Sequence, residues 1–136
     1  MRHVIIAGAL AIGLGALFTS VTFLPATAEE PTVQRKVLLT HDLAIPGYQT
    51  VMAVVEIPPG GREGRHTHPG AVVFYVQEGV LTFDYEGNPT MTYKAGDSVF
   101  VEAGKIHEGI NKGASPVKVL ATFVVEKGKP MTSPAP

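Results

Sequence analysis

From Pro31 onward no stretch of the chain carries a helical repeat of apolar residues. Hydrophobic side chains instead alternate with polar ones in short runs rich in Val, Thr, Phe and Tyr, the pattern of half-buried β-strands. The runs are Arg35–Thr40, Tyr48–Ile57, Ala71–Gln77, Val80–Tyr85, Thr90–Tyr93, Ser98–Val101, His107–Ile110 and Val117–Val125. Between them stand turn-forming segments such as Ile45-Pro46-Gly47, Pro58-Pro59-Gly60-Gly61, Glu86-Gly87-Asn88-Pro89 and Ala95-Gly96-Asp97. Strands this short, at this spacing, close into an all-β sandwich or barrel. The chain has 136 residues, enough for one such domain and too few for two comfortable cores. The Pro/Ser/Thr-rich end from about Gly128 to Pro136 reads as a frayed tail.

The first 28 residues read differently. Met1-Arg2-His3 opens an apolar, glycine-spaced stretch from Val4 to Phe18, and Ala26-Thr27-Ala28 precedes Glu29-Glu30. A cationic start, an apolar middle and a small-x-small end make a secretory signal peptide. Cleavage after Ala28 would leave residues 29–136 as a periplasmic or secreted domain with no membrane segment. The rival reading is a retained anchor, but Thr19, Ser20 and Thr22 interrupt the apolar run. With no cysteine, an exported domain has no disulfide to lean on and must rely on its core, helped by a metal or a second subunit. The net charge of -1 carries no excess that would draw a nucleic acid. No glycine-rich loop opens a helix, so nucleotide binding has no footing either.

Polar chemistry concentrates between Gly60 and Gly70. His66 and His68 are two apart, so in a strand their side chains project to one face. Neutral imidazole suits iron, zinc, copper or nickel. A lone His-x-His pair is weak ground for a metal site, but a second cluster runs from Gly96 to Asn111. Gly60, His66, His68, Val72 and Gly79 fall at the spacing Gly-x5-His-x-His-x3-Glu-x6-Gly. Gly96, Glu102, Gly104, His107 and Asn111 fall at the spacing Gly-x5-Pro-x-Gly-x2-His-x3-Asn. In both, the chain resembles the cupin superfamily, and the resemblance implies an antiparallel jelly-roll barrel. It further implies that His66, His68 and His107 converge on a divalent transition metal, iron first, then zinc, copper or nickel.

Two identities depart from the family pattern. Val72 stands where the family places a carboxylate ligand, and Ala71, Val73 and Phe74 offer no substitute. The implied ligand set is therefore three neutral imidazoles, which leave about +2 on the site where a carboxylate would leave +1. Such a centre favours a small anionic or chelating ligand. Glu102 replaces the motif proline. It is read, with Glu63 and Glu108, as a surface carboxylate, although any of the three could orient an imidazole if it reached a ring N–H.

By parity Val72, Phe74 and Val76 line the barrel, with Phe83 and Phe100 completing an apolar pocket beside the metal. Val73 and Tyr75 face outward and suggest a homodimer contact. Arg62 and Arg65 read as a solvated rim, with the alternative that they clamp a carboxylate at the mouth. His41 reads as solvent-facing. No catalytic acid or base is assigned.

The function most consistent with this pattern is an exported, metal-dependent enzyme of dioxygenase type acting on a small organic anion. The alternatives are a cupin that captures a metal or small ligand without turnover, and an export domain with a vestigial site. Fold alone does not choose among them.

Overall fold

A computed structural model describes residues 31–136. The expected signal segment, residues 1–28, lies outside the described residues. Within them there is no helix, and ten strands are formed: β1 (Gln34–Asp42), β2 (Tyr48–Ile57), β3 (His66–Thr67), β4 (Ala71–Glu78), β5 (Val80–Tyr85), β6 (Met91–Lys94), β7 (Ser98–Val101), β8 (His107–Ile110), β9 (Val117–Glu126) and β10 (Ser133–Pro134). They make two five-stranded antiparallel sheets, in the orders β1-β2-β9-β4-β7 and β10-β3-β8-β5-β6. This is the jelly-roll barrel that the two motifs imply.

Alternation decides what each strand buries. On β2, Val51, Ala53, Val55 and Ile57 turn inward; on β9, Val117, Val119, Ala121, Phe123 and Val125 do the same. The two strands pair over their full length, from Tyr48 against Glu126 to Ile57 against Val117, so their inward residues form one apolar wall. On β4, Val72, Phe74 and Val76 join that wall, while Val73 and Tyr75 point out, as parity requires. Leu81 and Phe83 of β5 close the core from the opposite sheet. Each Val, Leu, Ile or Phe among them contributes about 1.5–3 kcal/mol when fully buried.

The chain reverses between β4 and β5 at Gly79, whose φ is +79°. A Cβ there would lie 2.5 Å from the Pro116 carbonyl oxygen, so only glycine fits both the left-handed backbone and the close approach. Asn111, at the end of the second motif, is buried and uses every polar atom of its amide. Its Nδ2 donates to the carbonyls of Ile57 and Ser115, each at 2.8 Å, and its Oδ1 accepts from the Gly113 N–H at 2.9 Å. It thereby ties the turn after β8 to the end of β2.

Two expectations are corrected. Phe100 does not line a pocket: it is 58% exposed and pairs with Val73 on the outer face, while Val99 and Val101 take the inward positions. All three residues of that run are apolar, so hydrophobicity alone could not choose its inner face. The tail is not frayed either. Ser133 and Pro134 pair with Thr67 and His66, and the Ala135 N–H donates to the Arg65 carbonyl at 2.9 Å.

Candidate metal centre

His66 lies on β3, His107 opens β8, and the two stand directly opposite each other in register. His68 follows on the same face as His66, one residue beyond β3. All three are buried, with ring centroids 4.4 to 4.9 Å apart. The Phe123 ring meets His68 edge-on at 5.0 Å, and Phe83 lies 5.6 Å from His107. The structure thus brings together the three side chains singled out in the sequence.

Each imidazole is oriented by the main chain. The Nδ1–H of His66 donates to the Gly64 carbonyl at 2.7 Å, that of His68 to Met131 at 2.7 Å, and that of His107 to Lys105 at 2.9 Å. A carbonyl can only accept, so Nδ1 carries a proton in all three rings and Nε2 is the nitrogen left to face the cavity. None of Glu63, Glu102 or Glu108 makes these contacts. Burial pushes the pKa of His68 and of His107 down to about 4, so both rings are neutral at neutral pH.

This donor set fits a metal ion. Nitrogens of the three rings all lie within 4.8 Å of one another. Bonds of roughly 2.0–2.1 Å at tetrahedral or octahedral angles hold ligand nitrogens about 3.0–3.4 Å apart, so the rings would draw inward by about an ångström on taking up an ion. Three imidazoles, each with Nε2 uncommitted to the main chain and no carboxylate among them, are borderline ligands of the kind transition metals take.

The rings share a cavity of about 140 Å³ with Val72, Phe74, Phe83, Val101 and Phe123. Val72, only 3% exposed, is paired with Phe123 and so faces the cavity where the family pattern has its acid. Val76 is fully buried in the core but is not on the cavity wall. The cavity also contains Arg35, Met131 and Thr132, for which the sequence suggested no role, and Glu63, which is not the surface carboxylate expected but has a side chain only 15% exposed. Arg35 shares a face of β1 with Val37, but β1 is exposed along its length and apolar residues fall on both its faces, so alternation does not mark it; Met131 lies in an irregular segment and carries no pattern.

Arg62 and Glu108 belong elsewhere. Glu108 is 2% exposed, contrary to its reading as a surface carboxylate, and holds Arg62 by two bonds of 2.6 Å, with a third from the Gly64 N–H at 3.0 Å. The bonded Arg62 guanidinium holds the Glu108 carboxyl below the usual carboxylate range. Arg62 therefore braces the loop that carries His66 and does not reach the mouth of the cavity. Arg65 pairs loosely with Glu86 at 3.6 Å on the surface, and Glu102 and His41 are exposed, as expected.

Residues 53–123 match the cupin domain family. The chain belongs to the cupins. Among curated relatives, a germin-like protein (subfamily 2 member 2) of Arabidopsis thaliana is 37% identical over 87 residues, 58% of this chain and 40% of that protein. An oxalate-binding protein of Thermotoga maritima is 29% identical over 76 residues, 55% of this chain and 62% of its own length. This cupin thus spans about two fifths of the germin-like relative and three fifths of the other. Among solved structures, a double-stranded β-helix protein from Klebsiella pneumoniae aligns with a TM-score of 0.61 at 23% identity, covering 82% of this chain and 89% of that one. That likeness concerns the fold.

Proposed function

We propose that this cupin holds a divalent transition metal on His66, His68 and His107 and uses it as a dioxygenase-type enzyme on a small anionic or chelating organic substrate. The observation that carries the reading is the set of three buried imidazoles, each fixed through Nδ1 to a main-chain carbonyl, with no carboxylate in the group. Iron is the first assignment; zinc, copper and nickel are also accepted by imidazole. Iron would supply a redox-active Lewis acid that polarises a chelated anion and passes electrons to dioxygen. The chain's own part is to hold the rings in one tautomer and to keep bulk water out with apolar walls. The missing carboxylate leaves the centre more positive, which favours an anion.

A second reading, capture without turnover, is favoured by the likeness to a protein named for binding oxalate. The exposed apolar face of Val73, Tyr75, Phe100 and Val124 supports a homodimer as the working form.

Elemental analysis of the purified protein, before and after reconstitution with Fe(II), tests the site, and light scattering on the same sample gives the mass of the assembly. About one metal per chain is expected, lost in His107→Ala, with oxygen consumed in the presence of diketones, thiols or aromatic diols. Metal retained without oxygen uptake would favour capture, and no metal after reconstitution would overturn both readings.

A further inference from the structure

Strand β1 forms the edge of its sheet, and its register against β2 places Arg35 opposite Val55 and Val37 opposite Ala53. Val55 and Ala53 point inward, and Arg35 and Val37 stand on that side of β1 at the rim, where both line the histidine cavity while staying open to solvent, the Arg35 side chain by 45% and Val37 by 60%. There Arg35 donates from Nη2 to the Glu63 carboxylate at 3.1 Å. Glu63 is only 15% exposed, and its backbone N–H is bonded to the Gly109 carbonyl at 2.9 Å. A Cβ on Gly109 would come within 2.6 Å of Glu63 Oε2, so the missing side chain is what makes room for this carboxylate. Apart from the three imidazoles, Arg35, Glu63 and Thr132, the wall is apolar.

We propose that Arg35 and Glu63 form a second recognition pole of the cavity, and that its ligand is a small dicarboxylate or similar two-ended anion. One end lies at the three imidazoles, and the other takes the place of Glu63 on the Arg35 guanidinium. This rests on the metal-site reading above and narrows its ligand class. A guanidinium has five N–H donors in a fork that matches a carboxylate, so it can accept a second carboxylate or exchange one for another. Exchange exposes no uncompensated charge on Arg35, because an anion replaces an anion. Size points the same way: about 140 Å³ is close to the roughly 150 Å³ that accommodates benzene, which limits the ligand to about six to eight non-hydrogen atoms. Both poles line the same cavity, so one ligand can reach the two of them.

A charge on an edge strand can also serve only to discourage strand-to-strand aggregation, and the experiment separates the two roles. Calorimetric titration of the Zn(II)-loaded protein uses malonate, succinate and propionate as probes, with zinc content measured on the same samples. The wild type is expected to prefer the dicarboxylates to propionate by about tenfold or more, the scale of one charge-assisted hydrogen bond. Arg35→Gln should abolish that preference and leave propionate within about twofold. Glu63→Gln, which removes the competing charge, should tighten dicarboxylate binding severalfold, and it carries the test if Arg35→Gln fails to fold. Dicarboxylate affinity unchanged in Arg35→Gln, or unchanged or weaker in Glu63→Gln, overturns the proposal, whether or not aggregation increases. A chain that takes up no zinc overturns the metal reading instead. The same titrations on metal-free protein then still report on the pole, where succinate binding is expected to depend on Arg35 and its independence would overturn the pole.

Discussion

At the scale of single residues the centre is defined as much by Val72 as by its three histidines. An aliphatic group paired with Phe123 and facing the cavity supplies no electrons to an ion and adds apolar wall beside the rings. Replacing it with Glu puts a carboxylate at the position where the family pattern has one. In the metal-free protein, Val72→Glu should lower the melting temperature, because an unpaired carboxyl is buried in an apolar surround. With metal bound the carboxylate becomes a ligand, so metal affinity should rise in a competition with a chromophoric chelator. Propionate affinity should fall at least about tenfold, since the net charge drops from about +2 to +1 and Coulomb interactions at such range amount to a few kcal/mol. A lower melting temperature with unchanged metal and anion affinity would show that position 72 does not reach the ion.

At the scale of elements, the C-terminal segment does what no strand pattern announces. Met131 supplies the carbonyl that fixes the His68 tautomer, Met131 and Thr132 close part of the cavity, and β10 pairs with the strand that carries His66. Ending the chain after Gly128 leaves β1 to β9 intact but removes that carbonyl. Loss of a partner that orients a ligating histidine typically costs about 10–100-fold in metal affinity. The truncated chain should show that loss by calorimetry, and the His68 ring should lose its single Nδ1–H tautomer in nitrogen NMR spectra. Retention of full affinity would mean that water replaces the carbonyl at no cost. The sequence carried little sign of this segment, because a two-residue strand containing Pro134 shows neither alternation nor β-propensity. The long strands were legible for the opposite reason. Tyr48–Ile57 and Val80–Tyr85 alternate or concentrate β-branched and aromatic residues between clear turns, and their observed bounds match those read from sequence. The histidine trio was legible from two spacings, whereas Arg35 and Glu63 meet only through the pairing of β1 with β2 and of the His66 loop with β8. Such contacts depend on register, which the sequence of either partner alone does not fix.

At the scale of the whole molecule, the metal site is a cost to the metal-free fold under acid conditions. Burial holds His68 and His107 at about 4, against an ordinary value of 6.5. Between those values the unfolded chain binds more protons than the native one, so stability rises with pH across the window. Read downward, it is fully present above about 6.5 and is lost as pH falls through about 4. Glu108 acts in the same sense, because its bonded partner Arg62 keeps its carboxyl ionised in the fold to lower pH than in the open chain. Thermal melts of chelator-treated protein should therefore show a melting temperature that falls steadily from pH 7 to pH 4. In His68→Gln/His107→Gln the fall should be much shallower between pH 6.5 and 4, leaving mainly the contribution of Glu108 and other carboxylates at the acid end. A bound ion should raise the melting temperature most at neutral pH and progressively less in acid, because the imidazoles that hold it must be unprotonated. A melting temperature independent of pH in the metal-free wild type, or an equal slope in the double variant, would show that the rings are not buried as neutral groups. The neutrality of the ligand set, and with it the preference for an anion, would then fail together.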